Sequence, residues 1–448
     1  MDKRLMIIGL DAAPPKLIYR EYKDQLPNIS RLIDEGSKAE MRSTHPPITI
    51  PAWMVMFTGK TPGELGIYGF RHRKPGDVKS SYIVNSTMIK FPTIWEMLSR
   101  EGRRVAAVGI PPTFPPKPVN GIIISDFTTP GPEKSYTWPP WLKKELEARF
   151  GKYIFDITYR SEDKDSVAND LFEMIKQHLR IVEYLLQKKE WDFFAYVEIG
   201  VDRVHHAFWK YFDREHPRYT PHPRYSKVIP EFYKIVDEWV GRIKKELPKD
   251  AVIVIASDHG IKPMKGAFVM NQWLQEQGYL KLKEKPKKSG QDLDASMIDW
   301  SSTTAWAWGG YYSRIFVNLR GREPKGIIRK EEYENLLNQL KEDISKIKGP
   351  DGEPWKNIVH APQEIYTEVT GDPPDLMAYL DNLSWRPAGT IGWDTLYLPE
   401  NDRGPDDAEH DWNGVFLIYD PQATVSSGFK GELKIEEVFK KLRTLLQN

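Results

Sequence analysis

The sequence predicts an α/β fold in which a mainly parallel central sheet is covered by helices on both faces. Residues 5–9 and 251–256 are continuous apolar runs, the pattern of strands that are buried on both faces. Helical segments with one apolar face, such as residues 165–189 and 228–247, lead directly into apolar strand-like runs. Helices that alternate with buried strands are typical of a parallel sheet whose ligands bind beyond the carboxyl ends of the strands.

The remaining elements follow from capping signals and periodicity. Asn28 is positioned to cap a helix that ends at Gly36, and Thr93 with Glu96 forms a capping box before a helix that ends at Gly102. The predicted elements are helices at 29–35, 95–101, 165–189, 228–247, 330–347 and around 435–442, and strands at 5–9, 105–110, 122–125, 193–197, 251–256, 315–319, 376–380 and 415–419.

The 448 residues suffice for one large α/β domain or for two to three ordinary ones. We expect a single catalytic domain over residues 1–448, because no repeat or change of composition marks a separate C-terminal domain. Residues 128–163 lack clean periodicity and predict a surface insertion without assigned elements. A second insertion is expected around residues 265–312, where Lys-rich sequence predicts exposed loops around a short helix.

The composition excludes several function classes. The 64 Lys and Arg residues nearly balance the 63 Asp and Glu residues, so nothing indicates a nucleic-acid partner. The chain has no cysteine, which excludes disulfides, cysteine nucleophiles and thiolate metal sites, so His, Asp and Glu would have to hold a metal. No segment approaches the roughly 20 apolar residues of a membrane span, and we expect a cytoplasmic protein.

Thr49 stands in a stretch that prolines hold rigid. Pro46, Pro47 and Pro51 each fix their own φ and push the preceding residue away from the helical region, which predicts a stiff turn at Thr49. A helix is expected to begin just after Thr49 and to stop at Gly59, and its N-terminus would favour an anion. Taken alone, the stretch also fits an ordinary proline-rich turn.

Six further residues with metal-binding side chains follow predicted strands or lie in turns. Asp202 and His206 are four residues apart, the offset that brings two side chains together on one helical turn. An isolated aspartate at a strand end is often only a helix cap, so only the whole set of residues indicates a metal site. The six residues are Asp11, Asp202, His206, Asp258, His259 and His410.

The chain resembles the alkaline phosphatase superfamily in the order of five features. These are the apolar strand ending in Asp, the proline-framed Thr, the Asp and His four residues apart, the Asp-His-Gly and the late His. The likeness is to its type I phosphodiesterase/nucleotide pyrophosphatase branch and to related phosphohydrolase/phosphomutase proteins of prokaryotes. It covers most of the chain. The matching stretches are Ile7-Ile-Gly-Leu-Asp11, residues 43–53, Thr58-Gly-Lys-Thr-Pro-Gly63, Gly66-Ile-Tyr68, Ala256-Ser-Asp-His-Gly260 and residues 316–324.

The resemblance implies a role for each matching residue. Asp11, Asp258 and His259 would hold one metal ion, to which the Thr49 oxygen also binds. A second metal ion would be held by Asp202, His206 and His410, with His205 as the alternative to His206. Zn²⁺ suits such mixed sets of histidine and aspartate, and Mn²⁺ is the alternative.

The chain departs from the pyrophosphatase branch where that branch binds the phosphate. Leu65-Gly66 replaces the His-Gly of the branch, and Tyr68-Gly-Phe-Arg71 follows where an Asn is expected. Arg71 and Asn85 are the two candidates for the missing phosphate contact. The mono- versus diester preference depends on these contacts.

The expected activity is that of a two-metal phosphohydrolase acting on a small-molecule phosphate ester. Two divalent cations about 4 Å apart offset the charge of an in-line phosphoryl transfer, and Thr49 would form a phospho-threonine intermediate. We place phosphodiester cleavage ahead of monoester cleavage. A phosphomutase of the same superfamily and a non-catalytic metal-binding protein are the alternatives, whereas the Cys or Ser that a sulfatase requires is absent from Thr49-Ile-Pro-Ala-Trp53.

Overall fold

The computed structural model describes residues 3–74, 77–422, 429 and 432–447. The chain forms two compact units. The first unit contains Met1–Leu65, Val84–Ile261 and His410–Asn448, and the second contains Gly66–Ile83 and Lys262–Glu409. The single domain with two insertions stays a prediction.

The strands of the described residues are β1 Leu5–Leu10, β2 Ser37–Arg42, β3 Arg71–Lys74, β4 Asp77–Ile83, β5 Val105–Val108, β6 Gly121–Ile124, β7 Thr137–Trp138, β8 Phe193–Glu198, β9 Val252–Ala256, β10 Gly260–Pro263, β11 Gly266–Phe268, β12 Gln291–Asp292, β13 Ala305–Trp308, β14 Ser313–Val317, β15 Ile358–His360, β16 Leu376–Tyr379, β17 Trp385–Pro387, β18 Thr390–Ile391, β19 Tyr397–Leu398, β20 Ala408–Asp411, β21 Asn413–Tyr419 and β22 Leu433–Lys434.

The α-helices of the same residues are α1 Pro27–Glu35, α2 Thr49–Thr58, α3 Pro62–Leu65, α4 Ile94–Arg100, α5 Trp141–Phe150, α6 Lys164–Lys188, α7 Gly200–Phe212, α8 Val228–Glu246, α9 Met270–Glu276, α10 Lys330–Ser345, α11 Pro362–Ile365 and α12 Val438–Gln447. Leu17–Glu21 forms a turn of π-helix, and Lys23–Gln25, Ser86–Met88, Tyr225–Lys227, Leu380–Leu383 and Ile435–Glu437 form 3₁₀ turns.

A nine-stranded sheet organises the first unit. Its strand order is β22-β2-β21-β9-β1-β8-β5-β6-β7. Five of the eight neighbouring pairs are parallel and three are antiparallel. The central strands β1, β8 and β9 are buried along their whole length, as expected for strands covered on both faces. The predicted α/β fold with a mainly parallel sheet is therefore confirmed.

The parallel register places three polar chain segments at the same edge of the sheet. Strand β1 pairs with β8 on one side and with β9 on the other, all three running in the same direction. The chain leaves β1 at Asp11, leaves β9 towards Asp258, and passes from β8 into helix α7. Residues from distant parts of the sequence thus meet beyond the carboxyl ends of neighbouring strands, as the sequence predicts.

Two local predictions about the first unit need correction. Asn28 does not cap helix α1: the backbone N–H groups of Asn28 and Ile29 donate instead to the carboxylate of Asp237, which lies on α8. Residues 128–163, for which the sequence predicts no element, contain the edge strand β7 and helix α5. Within α5 only Leu142 and Leu146 are buried, so the helix has too narrow an apolar stripe to stand out in the sequence.

The second unit contains several small sheets and its own hydrophobic core. The largest sheet has the order β13-β14-β16-β15, and all its pairs are antiparallel. The hydrophobic core of the second unit includes Trp300, Trp306 and Leu340, and Leu340 lies on helix α10. The short helix expected between residues 265 and 312 is α9, although this region also contributes buried strands. No helix in the described part of the chain is long and apolar enough to cross a membrane.

Candidate metal centre and nucleophile

Asp11, Asp258 and His259 form a first buried group at the carboxyl edge of the central sheet. The Nε2 atom of His259 lies 3.2 Å from Asp258 Oδ2 and 3.8 Å from Asp11 Oδ1. All three side chains are fully buried. Neither of these two carboxylate oxygens accepts a hydrogen bond from any described residue. A buried carboxylate oxygen without a donor is costly, so this arrangement fits a bound cation.

Asp202, His206 and His410 form a second buried group beside the first. Asp202 Oδ1 lies 3.2 Å from His206 Nε2 and 3.6 Å from His410 Nε2. The imidazole rings of His410 and His259 are stacked with centroids 3.8 Å apart, so the two groups adjoin. Ligand atoms of Asp202, His259 and His410 come close enough together to share one ion, as do those of the first group.

Backbone carbonyls fix the orientation of two of the histidines. His259 Nδ1 lies 2.8 Å from the Gly260 carbonyl oxygen, and His410 Nδ1 lies 2.8 Å from that of Pro47. Because a carbonyl only accepts, each Nδ1 carries the hydrogen, and the lone pair of each neutral ring is on Nε2. The lone pair of His259 faces a carboxylate oxygen of Asp258, and that of His410 faces one of Asp202. A lone pair and a carboxylate oxygen repel each other unless a cation lies between the two atoms. The same imidazole-to-carbonyl bond is usual for metal-binding histidines.

The pKa values of the two carboxylates of the first group and of His410 also indicate a cation site. Burial, and then the negative charge of Asp202, raises the pKa of Asp11 well above its ordinary value. Burial and the charge of Asp11 likewise raise the pKa of Asp258. Burial lowers the pKa of His410 to about 4. Carboxylates held this close together resist ionisation, whereas a divalent cation among them would stabilise their charged forms.

Thr49 is the first residue of helix α2, one position earlier than the sequence predicts, and the helix ends at Gly59 as predicted. Its side chain is buried, and Oγ1 lies 3.3 Å from His259 Nε2. The structure therefore brings the hydroxyl next to the first group, at a helix N-terminus, where backbone N–H groups lack intrahelical partners and attract anions.

The structure separates the two neighbouring histidines on α7. His206 lies beside Asp202 on the same helical turn, as the four-residue spacing predicts. His205 points to the other side, where its Nε2 lies 3.2 Å from the Tyr233 hydroxyl and its ring packs against Trp209. The geometry therefore places His206, and not His205, in the second group.

Two residues that support the carboxylates are absent from the sequence-based prediction. Trp53 Nε1 donates to Asp11 Oδ2 at 2.7 Å, and Arg203 Nη1 donates to Asp202 Oδ2 at 2.6 Å. Both contacts orient a carboxylate whose other oxygen faces the centre. Their signal in the sequence is position alone, since Trp53 lies one turn after Thr49 and Arg203 directly follows Asp202.

The two candidates for the phosphate contact lie in different units. Asn85 belongs to the first unit, where its Oδ1 accepts hydrogen bonds from the backbone and hydroxyl of Thr87 and caps a 3₁₀ turn. Arg71 is exposed on strand β3 of the second unit. Both stay predictions as phosphate ligands.

Comparisons with known proteins agree with this description of the fold. The family model "Type I phosphodiesterase / nucleotide pyrophosphatase" matches residues 5–406. A comparison with curated protein sequences gave no significant match.

Two solved structures are similar to the whole chain. Phosphonoacetate hydrolase from Sinorhizobium meliloti, in complex with phosphonoformate, has 14% sequence identity and a TM-score of 0.62 over 99% of this chain and 96% of that chain. The inactive variant of murine ectonucleotide pyrophosphatase/phosphodiesterase 5, in complex with AMP, has 14% identity and a TM-score of 0.57 over 100% of this chain and 95% of that chain. At this level of identity the two structures show the fold.

Proposed function

Since the chain belongs to the type I phosphodiesterase/nucleotide pyrophosphatase family, whose members are metal-dependent phosphoric ester hydrolases, we propose that it cleaves phosphodiesters by attack of Thr49 on phosphorus. One observation carries the proposal: the buried Thr49 hydroxyl lies 3.3 Å from His259 Nε2, beside carboxylate oxygens that accept no hydrogen bond from any described residue. A purely structural threonine needs no such neighbours.

The donor set fits two divalent metal ions. One ion would be held by Asp11, Asp258 and His259 together with Thr49. The other would be held by Asp202, whose Oδ1 lies near Nε2 of both His206 and His410, and by these two histidines. Zn²⁺ fits this set, with Mn²⁺ as the alternative. Bound there, such ions lower the pKa of a nearby hydroxyl or water and neutralise charge on a transferring phosphoryl group.

The chain's own residues account for the course of the reaction. Helix α2 holds the Thr49 hydroxyl in place. The hydroxyl loses its proton, Oγ1 bonds to phosphorus, and the bond from phosphorus to the leaving ester oxygen breaks; that oxygen departs with the bonding pair and takes up a proton. Water then attacks the phospho-threonine, breaks the Oγ1–phosphorus bond and restores the hydroxyl. Trp53 and Arg203 hold the carboxylates of Asp11 and Asp202 in position during both steps.

The pairing of Arg203 favours a diester over a monoester. A monoester dianion carries an extra negative oxygen, which a dedicated phosphatase meets with a fixed cation. Arg203, the arginine beside Asp202, is already paired with Asp202 and, through two bonds of 2.8 Å, with Asp156. Its guanidinium therefore has no spare charge for a dianion.

The test compares kcat/KM for a bis-aryl phosphate and for the matching aryl phosphate, with Zn²⁺ or Mn²⁺ supplied. We expect the diester to be the better substrate, EDTA to abolish turnover, and Thr49→Ala to remove activity while Thr49→Ser keeps a measurable part of it. Turnover that EDTA does not affect would contradict a metal-dependent reaction. A clear monoester preference would make the protein a phosphatase, and absence of turnover with any ester would favour the mutase or the non-catalytic alternative.

Phosphonoacetate serves as a third substrate, because one of the similar solved structures is a phosphonoacetate hydrolase. The proposal expects no phosphate release from phosphonoacetate under conditions in which the diester is cleaved. Release at a comparable kcat/KM would instead assign cleavage of a carbon–phosphorus bond.

A further inference from the structure

The second unit contains a cavity of about 510 Å³ that is separate from the residues discussed so far as metal ligands. We call it the tryptophan–arginine cavity; its walls include Arg71, Trp306, Trp308, Arg314 and Arg403. Its volume is in the range typical of small-molecule sites. Four arginines and two aspartates are among its lining residues, and one of the arginines, Arg386, is paired with Asp406 and Glu409.

Arg314 is held in this wall by Trp308 on the same hairpin and by Arg71 on strand β3. It lies directly opposite Trp308 in the β13–β14 pair, and its guanidinium carbon lies 5.1 Å from the centre of the Trp308 ring system. Its Nη1 donates to the Arg71 carbonyl oxygen at 2.6 Å. These two contacts fix the guanidinium before any ligand arrives, which lowers the entropic cost of binding.

The charge of Arg314 is not neutralised within the described part of the chain. The guanidinium pairs with no carboxylate there, its one hydrogen bond goes to a carbonyl, and its Nε is buried without a partner. Burial lowers the pKa of Arg314 from its ordinary value. A guanidinium has five N–H donors, so most of its hydrogen-bonding capacity is unused.

Other residues of the cavity differ from Arg314 in this respect. Arg403 pairs with Asp292, and both of these side chains are more than half exposed. Asn271 exchanges two hydrogen bonds of 2.8 Å with the backbone of Ala307 and so fixes the wall next to Trp308. Arg71 adds a second cation beside Arg314 that pairs with no described carboxylate. The unneutralised charge is therefore concentrated at Arg71 and Arg314.

We propose that the tryptophan–arginine cavity binds a small aromatic oxyanion, with the anionic group on Arg314 and Arg71 and the planar ring against Trp308. A guanidinium fork matches the oxygens of a phosphoryl or carboxylate group, and the partly exposed indole offers a face for stacking. The inference does not depend on the reaction proposed for Thr49.

Isothermal titration calorimetry on the full chain with metal supplied tests the inference. The probes are phenylphosphonate and benzoate, which distinguish a phosphoryl from a carboxylate ligand, inorganic phosphate, which lacks the ring, and benzamide, which lacks the charge. We expect at least one aromatic anion to bind more tightly than both inorganic phosphate and benzamide. Failure of both aromatic anions to bind, or binding no tighter than that of benzamide, would overturn the proposal.

Variants locate the binding. Arg314→Gln and Arg71→Gln should each raise the dissociation constant of the aromatic anion by about tenfold or more, because each removes a charge-assisted hydrogen bond. Arg403→Gln is the matched control from the same cavity and should change the affinity by less than about threefold, since Arg403 is already paired and exposed. If Arg314→Gln does not fold, the affinity of Arg71→Gln tests the proposal by itself, because Arg71 is exposed and its replacement should not affect folding.

Asp258→Asn separates this cavity from the metal centre. The proposal expects this variant to keep the part of the aromatic-anion binding that Arg314→Gln and Arg71→Gln remove, whatever it loses at the metal centre. If Asp258→Asn loses the binding and Arg314→Gln and Arg71→Gln keep it, the ligand occupies the metal centre and the proposal is wrong. Equal loss in Arg403→Gln and Arg71→Gln would also contradict it, because it would reflect general surface charge.

Discussion

Replacing Trp53 by phenylalanine would remove the indole N–H that Asp11 accepts and keep an aromatic ring in the same place. Trp53 is fully buried on α2, stacks on Phe57 with ring centroids 5.9 Å apart, and donates to Asp11 Oδ2 at 2.7 Å. The other oxygen of that carboxylate, Oδ1, faces His259. The substitution therefore acts on how Asp11 is held and leaves the set of proposed metal ligands intact.

The expected size of the effect follows from the lost hydrogen bond. A hydrogen bond to a charged group contributes about 1.5–3 kcal/mol, and about 1.4 kcal/mol corresponds to a factor of ten in affinity. Trp53→Phe should thus weaken metal binding by about ten- to a hundredfold, the range usual for residues that orient metal ligands. Activity should recover in large part when metal is supplied in excess, because Thr49 and the ligands are unchanged.

The assay is competition for Zn²⁺ against a chromophoric chelator, followed by kcat/KM across a metal titration. Trp95→Phe is the matched control: Trp95 is also buried, and its ring packs edge-on against the same Phe57, but it makes no contact with a carboxylate of the centre. Both variants should lose similar thermal stability, and only Trp53→Phe should lose metal affinity. Equal metal affinity in the two variants would refute the role assigned to Trp53.

Three further predictions concern single side chains. Asp237→Ala should lower the free energy of unfolding by about 1–2 kcal/mol in denaturant titrations, because it removes the carboxylate that caps α1, whereas a change within error would show that this cap is not needed. Burial and the nearby Arg314 charge lower the pKa of His72 to about 3, so between about pH 6.5 and pH 3 only the unfolded state takes up a proton on this residue. The free energy of unfolding should therefore fall by about 1.4 kcal/mol per pH unit in this range from His72 alone. In denaturant titrations across this pH range, the fall should be shallower in His72→Gln. His206→Ala should lose metal and activity far more than His205→Ala, and the reverse result would exchange the roles of the two histidines.

The sequence predicts the central sheet and much of the candidate site because their signals are local. Strand β9 is a short, uninterrupted run of mostly β-branched apolar residues that ends just before Ser257 and Asp258, and its length and composition favour a strand buried on both faces. The four-residue spacing of Asp202 and His206 defines one helical turn, so their proximity follows from helix geometry alone. Identification of the family then relates these local signals to one another across the chain.

Features that depend on distant partners could not be predicted in this way. The cap of α1 comes from Asp237, more than two hundred residues away, although Asn28 has the residue type of a local cap. The indole of Trp53 resembles any core tryptophan until the fold places it against Asp11. Likewise, the charge of Arg314 looks like an ordinary surface cation until the hairpin sets it opposite Trp308 and away from carboxylates.

The most direct test of the central proposal is to look for phosphate on Thr49 during turnover. The metal-loaded protein is mixed with a bis-aryl phosphate, quenched in acid within one turnover, digested and analysed by tandem mass spectrometry. We predict a phosphoryl group that still carries the second aryl ester on the peptide that contains Thr49, and none in Thr49→Ala. Full diesterase activity in Thr49→Ala, or a phosphorylated residue other than Thr49, would contradict the proposed nucleophile.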